Sequence, residues 1–254
     1  GCEVEHVLLK EEDGFQMQES FINWLHRELD MVFLCNPNNP TGRLIDRDFL
    51  FRVLRVCREM DILLVVDECF LDFVQEPEKY TLKAQLSRYH NLFILKAFTK
   101  RYAMAGIRLG YGISENMELL EAMTQVTQPW NISVIAQAAG IAALKETMYV
   151  EAGRHIVFEE AKYLKEELQR LGMQVFPSEA NYIFFRGPEH LFDICIKQGV
   201  LIRSCSNYAG LCKGYYRVAV RTHAENEELI RAMRDGTTAA AVAHAEALEE
   251  EEEA

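Results

Sequence analysis

Through the first half of the chain, apolar runs bounded by turn-forming residues alternate with segments of helical period. That is the pattern of a mainly parallel sheet with crossover helices. Met31-Val-Phe-Leu-Cys35 reads as a buried strand, and residues 46–60 as an amphipathic helix with Asp46 as its N-cap. Residues 62–67 and 91–95 form the next two strands, separated by a polar segment around Pro77 that holds a short helix. A short strand broken by glycines follows at 108–112. From Glu115 the pattern becomes helical, through 132–148 and on through 150–171, with Pro129 as punctuation between the first two helices. Shorter strands then gather around one or two helices, at 174–176, 182–185, 200–203 and 215–220. The expected organisation is a large α/β domain over 1–147, a smaller α+β domain over 148–236 and a tail over 237–254.

Composition narrows the function. With 254 residues and 49% hydrophobic content, the chain buries one large core or two smaller ones. Half of the net charge of −12 comes from six glutamates in the Ala-rich tail, which is expected to be solvated or frayed. The acidic balance argues against a nucleic-acid partner, and no apolar run is long enough for a membrane span. The first residues, Gly-Cys-Glu-Val-Glu-His, lack the basic-then-apolar order of a signal peptide, so the expected location is the cytoplasm. Seven scattered cysteines without a Cys-x-x-Cys pair, and seven histidines without ligand spacing, suggest neither a disulfide framework nor a metal site.

Three polar positions each lie just beyond an apolar run: Asn39, Asp67 and Lys100. In open α/β sheets, ligands bind outside the carboxyl ends of the strands, so these three are candidates for one site. Each also has a plain structural explanation. Asn39 sits in Asn-Pro-Asn-Asn-Pro-Thr-Gly, an ordinary turn composition, although two prolines also hold the asparagine between them in a defined orientation. Asp67 could cap a helix or join a salt bridge; it could equally pair with a cationic ring nitrogen. Glu68 beside it is expected to face the other way in a structural role. Lys100 alone would be a solvated side chain.

Read in order, Asn-Pro-Thr-Gly at 39–42, Val-Val-Asp-Glu at 65–68, Thr-Lys at 99–100 and Ala-Gly-Ile-Arg-Leu-Gly at 105–110 resemble the fold type I pyridoxal-phosphate enzymes of the class I/II aminotransferase family. The resemblance runs from about residue 1 to residue 235. It implies a three-layer α/β large domain, here truncated at its N-terminal side, followed by a smaller α+β domain. It also implies pyridoxal 5′-phosphate as cofactor, with Lys100 linked to its aldehyde, Asp67 paired with the pyridine nitrogen, Asn39 donating to the phenolic oxygen, and Thr99 and Arg108 holding the phosphate. Arg203 and Arg217 would bind anionic groups of the substrate, and Asn181 with Tyr182 would line the site.

The same resemblance implies a homodimer acting on a small phosphorylated amino acid. Residue 1 corresponds to the middle of the family's large domain, so the stretch carrying a glycine-rich phosphate loop is expected to be missing. Ala97 stands where relatives often carry a hydroxyl residue. Phe70 stands where transaminating members usually carry tyrosine; this position, the segment 201–210 and Arg221 in Tyr-Arg-Val-Ala-Val-Arg incline the likeness toward a decarboxylating branch. Phe70 is explained as well by apolar packing, and Arg221 as a surface ion-pair partner. Transamination is the alternative within the family, and a catalytically incompetent fold remnant is the alternative outside it.

Overall fold

The computed structural model describes residues 1–252, with side chains described through residue 238. The chain divides into two compact units, one of residues 9–155 and one combining 1–8 with 156–254. The division falls inside a long helix, α5 (Thr147–Arg170), a little beyond the boundary expected at 147/148, and the first eight residues belong with the second unit.

In the unit of residues 9–155, β1 (Met31–Cys35), β2 (Leu63–Asp67) and β3 (Leu92–Ala97) run parallel, and β4 (Gly110–Ile113) closes the order β1-β2-β3-β4 antiparallel to β3. The Leu- and Val-rich runs suit a pleated surface, and β2 and β3 bury successive residues on both faces. Only β1 alternates: Val32 and Leu34 are buried while Met31 and Phe33 are exposed. The expected strand at 108–112 lies two residues later, because Arg108 takes left-handed backbone (φ 58°) and ends a short 3₁₀ turn.

Helix α1 (Arg47–Met60) supplies the crossover from β1 to β2. Its buried residues Phe49, Leu50, Val53, Leu54 and Cys57 recur at helical spacing and pack on Leu34, Leu64, Val66 and Ile94 of the sheet. Asp46 caps it as the sequence predicts, accepting from the backbone N–H of Asp48 and Phe49 at 2.9 and 3.1 Å. At the other end Asp61 adopts φ 65°, a left-handed C-cap that aspartate tolerates. Two short 3₁₀ turns (Pro77–Lys79 and Lys83–Arg88) fill the polar segment before β3.

A single helical turn, α2 (Phe98–Arg101), follows β3. Beyond β4 come α3 (Met117–Val126) and α4 (Val134–Ala143), the latter ending before the expected residue 148. Gly140 lets α4 approach closely: a Cβ there would lie 2.6 Å from a Leu109 methyl and 3.6 Å from the Phe98 ring. Gly112 does the same for the sheet, since a Cβ would lie 2.1 Å from the ring of Phe93.

The second unit is an antiparallel sheet in the order β5-β6-β8-β7, made of β5 (Gln174–Val175), β6 (Tyr182–Arg186), β7 (Arg203–Ser204) and β8 (Tyr215–Ala219). Its core joins Leu164 and Leu168 of α5, Ile183, Phe185, Tyr216 and Val218 of the sheet, Leu191 and Cys195 of α6 (Leu191–Lys197), and Leu229, Ile230 and Met233 of α7 (His223–Glu252). The helix does not stop at Gly236. That glycine instead lets α7 approach α6, where a Cβ would lie 2.5 Å from Ile194. The backbone of the acidic tail continues α7; its side chains, and with them the expected solvation, lie outside the described residues.

Two caps yield predictions. Asp46→Ala removes an acceptor from two helical N–H groups, so urea unfolding of the variant should show a loss of about 1 kcal/mol. At the start of α7, Arg221 and then Thr222 bond the Glu225 carboxylate and hold its pKa down to about 2. A depressed carboxyl pKa stabilises above the unfolded value of 4.5 and ceases to do so as pH falls toward 2. In thermal melts across that window, the native chain should therefore lose its advantage over Glu225→Gln, whereas the difference should be constant above pH 6.

Candidate functional site

The parallel register decides what meets at the carboxyl edge of the first sheet. Cys35 pairs with Asp67, and Asp67 with Leu95, so the exits of β1, β2 and β3 lie side by side. The ladder extends one step further through Asn36 N–H to Asp67 O at 2.9 Å and Glu68 N–H to Leu95 O at 3.0 Å. Asn39, Asp67, Thr99 and Lys100 all lie on these three exits, and Arg108 lies on the turn leading into β4.

The β1 exit is built on a residue that sequence reasoning passed over. Asn36 is fully buried; its Oδ1 accepts from Ile45 N–H at 2.8 Å, and its Nδ2 donates to Tyr80 O at 3.0 Å. Asn38 Nδ2 donates to Thr41 Oγ1 at 2.8 Å, and Gly42, at φ 73°, donates its N–H to Asn38 O at 2.7 Å. The loop carrying Asn39 is thus closed by side-chain and backbone bonds. The peptides before Pro37 and Pro40 are both cis.

Asp67 is half-buried at the end of β2 and accepts the N–H of Cys69 at 2.9 Å through Oδ1. Among the described residues it has no cationic partner. The two thiols near it, Cys35 and Cys69, are pushed up to about 11 and about 12, first by burial and then by the Asp67 charge. They are poor nucleophiles. Lys100 is exposed, with its Nζ 5.3 Å from the centre of the Phe70 ring and, among the described residues, no carboxylate within ion-pair distance. Arg108 is also exposed and, among the described residues, its side chain donates only to Ala105 O, at 3.0 Å.

One carboxylate without a cation and two cations without anions form a donor set with a definite complement. It suits a ligand that brings a protonated ring nitrogen, a carbonyl carbon open to an amine, and a phosphate. Pyridoxal 5′-phosphate has those three groups, so the residues fit it.

Behind these residues lies a buried ionic cluster that the sequence reading found only in part. Glu68 faces away from Asp67, as expected: it is fully buried, accepts from Thr81 Oγ1 at 2.8 Å and lies 3.1 Å from Lys96 Nζ. Burial holds its carboxyl above the ordinary range, with Lys96 and Thr81 acting in the opposite sense. Lys96 also lies 3.7 Å from Asp72, which accepts from Arg101 at 3.0 Å. A lysine within the apolar run of β3 was the available signal, because a side chain drawn into such a strand needs a counter-charge.

In the other unit, Arg203 and Arg217 are cross-strand partners on β7 and β8. Arg217 lies over the Tyr182 ring at 4.9 Å, while Arg203 lies over Tyr208 at 5.8 Å and donates to Asn207 at 3.1 Å. Like charges paired across a ladder are destabilising unless a negative group accompanies them. Asn181 O accepts from Val220 N–H at 2.9 Å beyond the end of the ladder, and its side-chain Oδ1 is buried without a hydrogen-bond partner among the described residues. Arg221 pairs with Glu225 on the surface, the role first expected of it.

The chain matches the family model described as aminotransferase class I and II over residues 1–233. It belongs to that family. It is 36% identical over 247 residues to a threonine-phosphate decarboxylase from Salmonella typhimurium, covering 96% of this chain and 67% of the relative. A histidinol-phosphate aminotransferase from Caldanaerobacter subterraneus is 33% identical over 207 residues, covering 81% of this chain and 56% of the relative. The chain thus spans about two thirds or less of the length of these family members. Among solved structures, the histidinol-phosphate aminotransferase from Clostridium acetobutylicum superposes with a TM-score of 0.84 at 33% identity, over 89% of this chain and 69% of that one. These likenesses establish the fold type I architecture read from the motifs. Among the described residues no helix is long and apolar enough to cross a membrane.

The ionic cluster makes a testable demand on stability. Glu68→Ala leaves Lys96 with only the longer Asp72 contact and should destabilise the chain by about 3 kcal/mol in urea titration. Glu68→Gln keeps an acceptor for Thr81 and should lose distinctly less.

Proposed function

We propose that this chain carries the catalytic residues of a pyridoxal-phosphate-dependent carbon–carbon lyase that removes carbon dioxide from L-threonine O-3-phosphate. The product would be 1-amino-2-propanol O-2-phosphate, the threonine-phosphate decarboxylase reaction of cobalamin biosynthesis. The observation that carries this choice is the Phe70 ring beside Lys100, 5.3 Å from its Nζ. An aromatic ring without a hydroxyl there leaves one hydrogen bond fewer for a phenolic oxygen, in agreement with the 36% identity to the decarboxylase.

The cofactor is pyridoxal 5′-phosphate, in keeping with the family. When bound, it supplies an electron sink conjugated to the substrate's α-carbon. In this reading Lys100 provides the amine that holds its aldehyde, and Asp67 keeps its ring nitrogen protonated. Asn39 donates to the phenolic oxygen, and Arg108 with Thr99 binds the phosphate. Arg203 and Arg217 take the substrate's anionic groups, and Asn181 serves as a polar contact. Positioning selects the bond that breaks: decarboxylation requires the carboxylate, rather than the α-hydrogen, to stand perpendicular to the conjugated plane. A cytoplasmic homodimer is the assembly and location we assign to it.

Transamination is the second reading, favoured by the 0.84 TM-score to a histidinol-phosphate aminotransferase. The two readings separate in one assay. Supplied with pyridoxal phosphate and O-phospho-L-threonine, the chain should release carbon dioxide at a rate independent of any 2-oxo acid. Amine transfer from histidinol phosphate that requires the acceptor, without carbon dioxide release, would replace this reading with the aminotransferase. Borohydride should fix cofactor to the native chain and fail to do so with Lys100→Ala. Failure to fix it to the native chain identifies the incompetent remnant.

A further inference from the structure

We infer that Asp72, acting with the buried Glu68–Lys96 pair, is a positioning residue that holds the turn carrying Lys100 against the strand end carrying Asp67. Its functional importance rests on the role proposed above for Lys100. The mechanical part stands on contacts alone.

The need for such a device follows from length. Helix α2 contains only Phe98, Thr99, Lys100 and Arg101, and its closing bond is Tyr102 N–H to Phe98 O at 3.1 Å. One helical turn fixes several backbone angles for about one hydrogen bond, so it does not persist without outside contacts. On one side the buried Phe98 ring packs near Tyr102 and Tyr111, with centroids 5.3 and 5.7 Å away. On the other side the tether is ionic.

Arg101, the neighbour of Lys100, donates Nη1 to Asp72 Oδ1 at 3.0 Å. That same oxygen lies 3.7 Å from Lys96 Nζ at the end of β3, and Lys96 lies 3.1 Å from Glu68, the residue after Asp67. The chain of contacts therefore runs from the residue beside Asp67 to the residue beside Lys100, with Asp72 as the link between the two cations. Asp72 is itself anchored, because its backbone O accepts from Arg154 Nε at 3.0 Å. Side-chain exposure is 0% for Glu68 and 12% for both Lys96 and Asp72, so water does little to weaken these contacts. Two carboxylates balance two cations. Removing the Asp72 charge leaves Arg101 without its counter-ion immediately beside Lys100.

The test uses Asp72→Asn, which preserves shape, and Asp72→Glu, which restores charge. Amide hydrogen exchange of the chain without cofactor should accelerate about tenfold in residues 98–103 of Asp72→Asn, with β1 and α1 unchanged, and should return toward native in Asp72→Glu. With pyridoxal phosphate added, the absorbance-monitored pH midpoint of the Lys100 linkage should shift by about half a pH unit or more in Asp72→Asn. Exchange that is unchanged in 98–103, or that rises equally across the whole sheet, overturns the inference. Arg101→Gln alters the less buried end of the same bond and should reproduce the local acceleration, so a poorly folding Asp72 variant does not remove the test. If the native chain forms no linkage with cofactor, the proposed function fails, while the exchange result still decides the tether.

Discussion

The register of three parallel strands decides which side chains meet at the edge of the candidate site. Because Cys35, Asp67 and Leu95 lie level across β1, β2 and β3, the residues that follow each of them emerge at one edge. A slip of one residue between β1 and β2 would turn every side chain of a strand to the opposite face. Val32 and Leu34 would then leave the core, so burial of that face specifies the register and, through it, the neighbourhood of Asn39, Asp67 and Lys100. The candidate site at this edge is a by-product of packing at the centre of the sheet.

At that edge charge is divided between two tasks. Glu68, Lys96, Asp72 and Arg101 compensate one another within the protein, whereas Asp67, Lys100 and Arg108 have no ionic partner among the described residues. Adjacent residues, Asp67 with Glu68 and Lys100 with Arg101, fall into opposite classes. On a strand the alternation of side chains is enough to separate them, and on the single turn of α2 successive residues point in different directions. In each doublet of like charges at these strand exits, one residue is ion-paired within the protein and one is left for the proposed ligand.

Much of this was legible in the sequence because the relevant signals are local. β1 and α1 follow from an apolar run, a helical period and the Asp46 cap, and the ordered motifs identify the family before any coordinate is considered. The misses share a different origin. Asn36 reads as one more turn-forming asparagine, yet its bonds go to Ile45 and Tyr80, and Asp72 reads as an ordinary acid, yet it accepts from Arg101. Such partners are brought together by sheet topology, which periodicity does not encode. Gly236 is a related case: glycine ends many helices, but here it marks where α6 and α7 need the space of a side chain. At Arg108, left-handed backbone delays β4 where composition alone favours an earlier start.

The pairing of Arg203 with Arg217 across β7 and β8 has, on the reading proposed above, a consequence for how such a scaffold diversifies. If the pair binds the substrate's anions, an anchor of two cations on a short antiparallel ladder recognises electric charge and is indifferent to the carbon skeleton between the anions. A lineage could then exchange one anionic ligand for another, or one bond cleavage for another, by altering other side chains while leaving the anchor intact. Chemical novelty and ligand retention become separable traits, each open to selection without loss of the other.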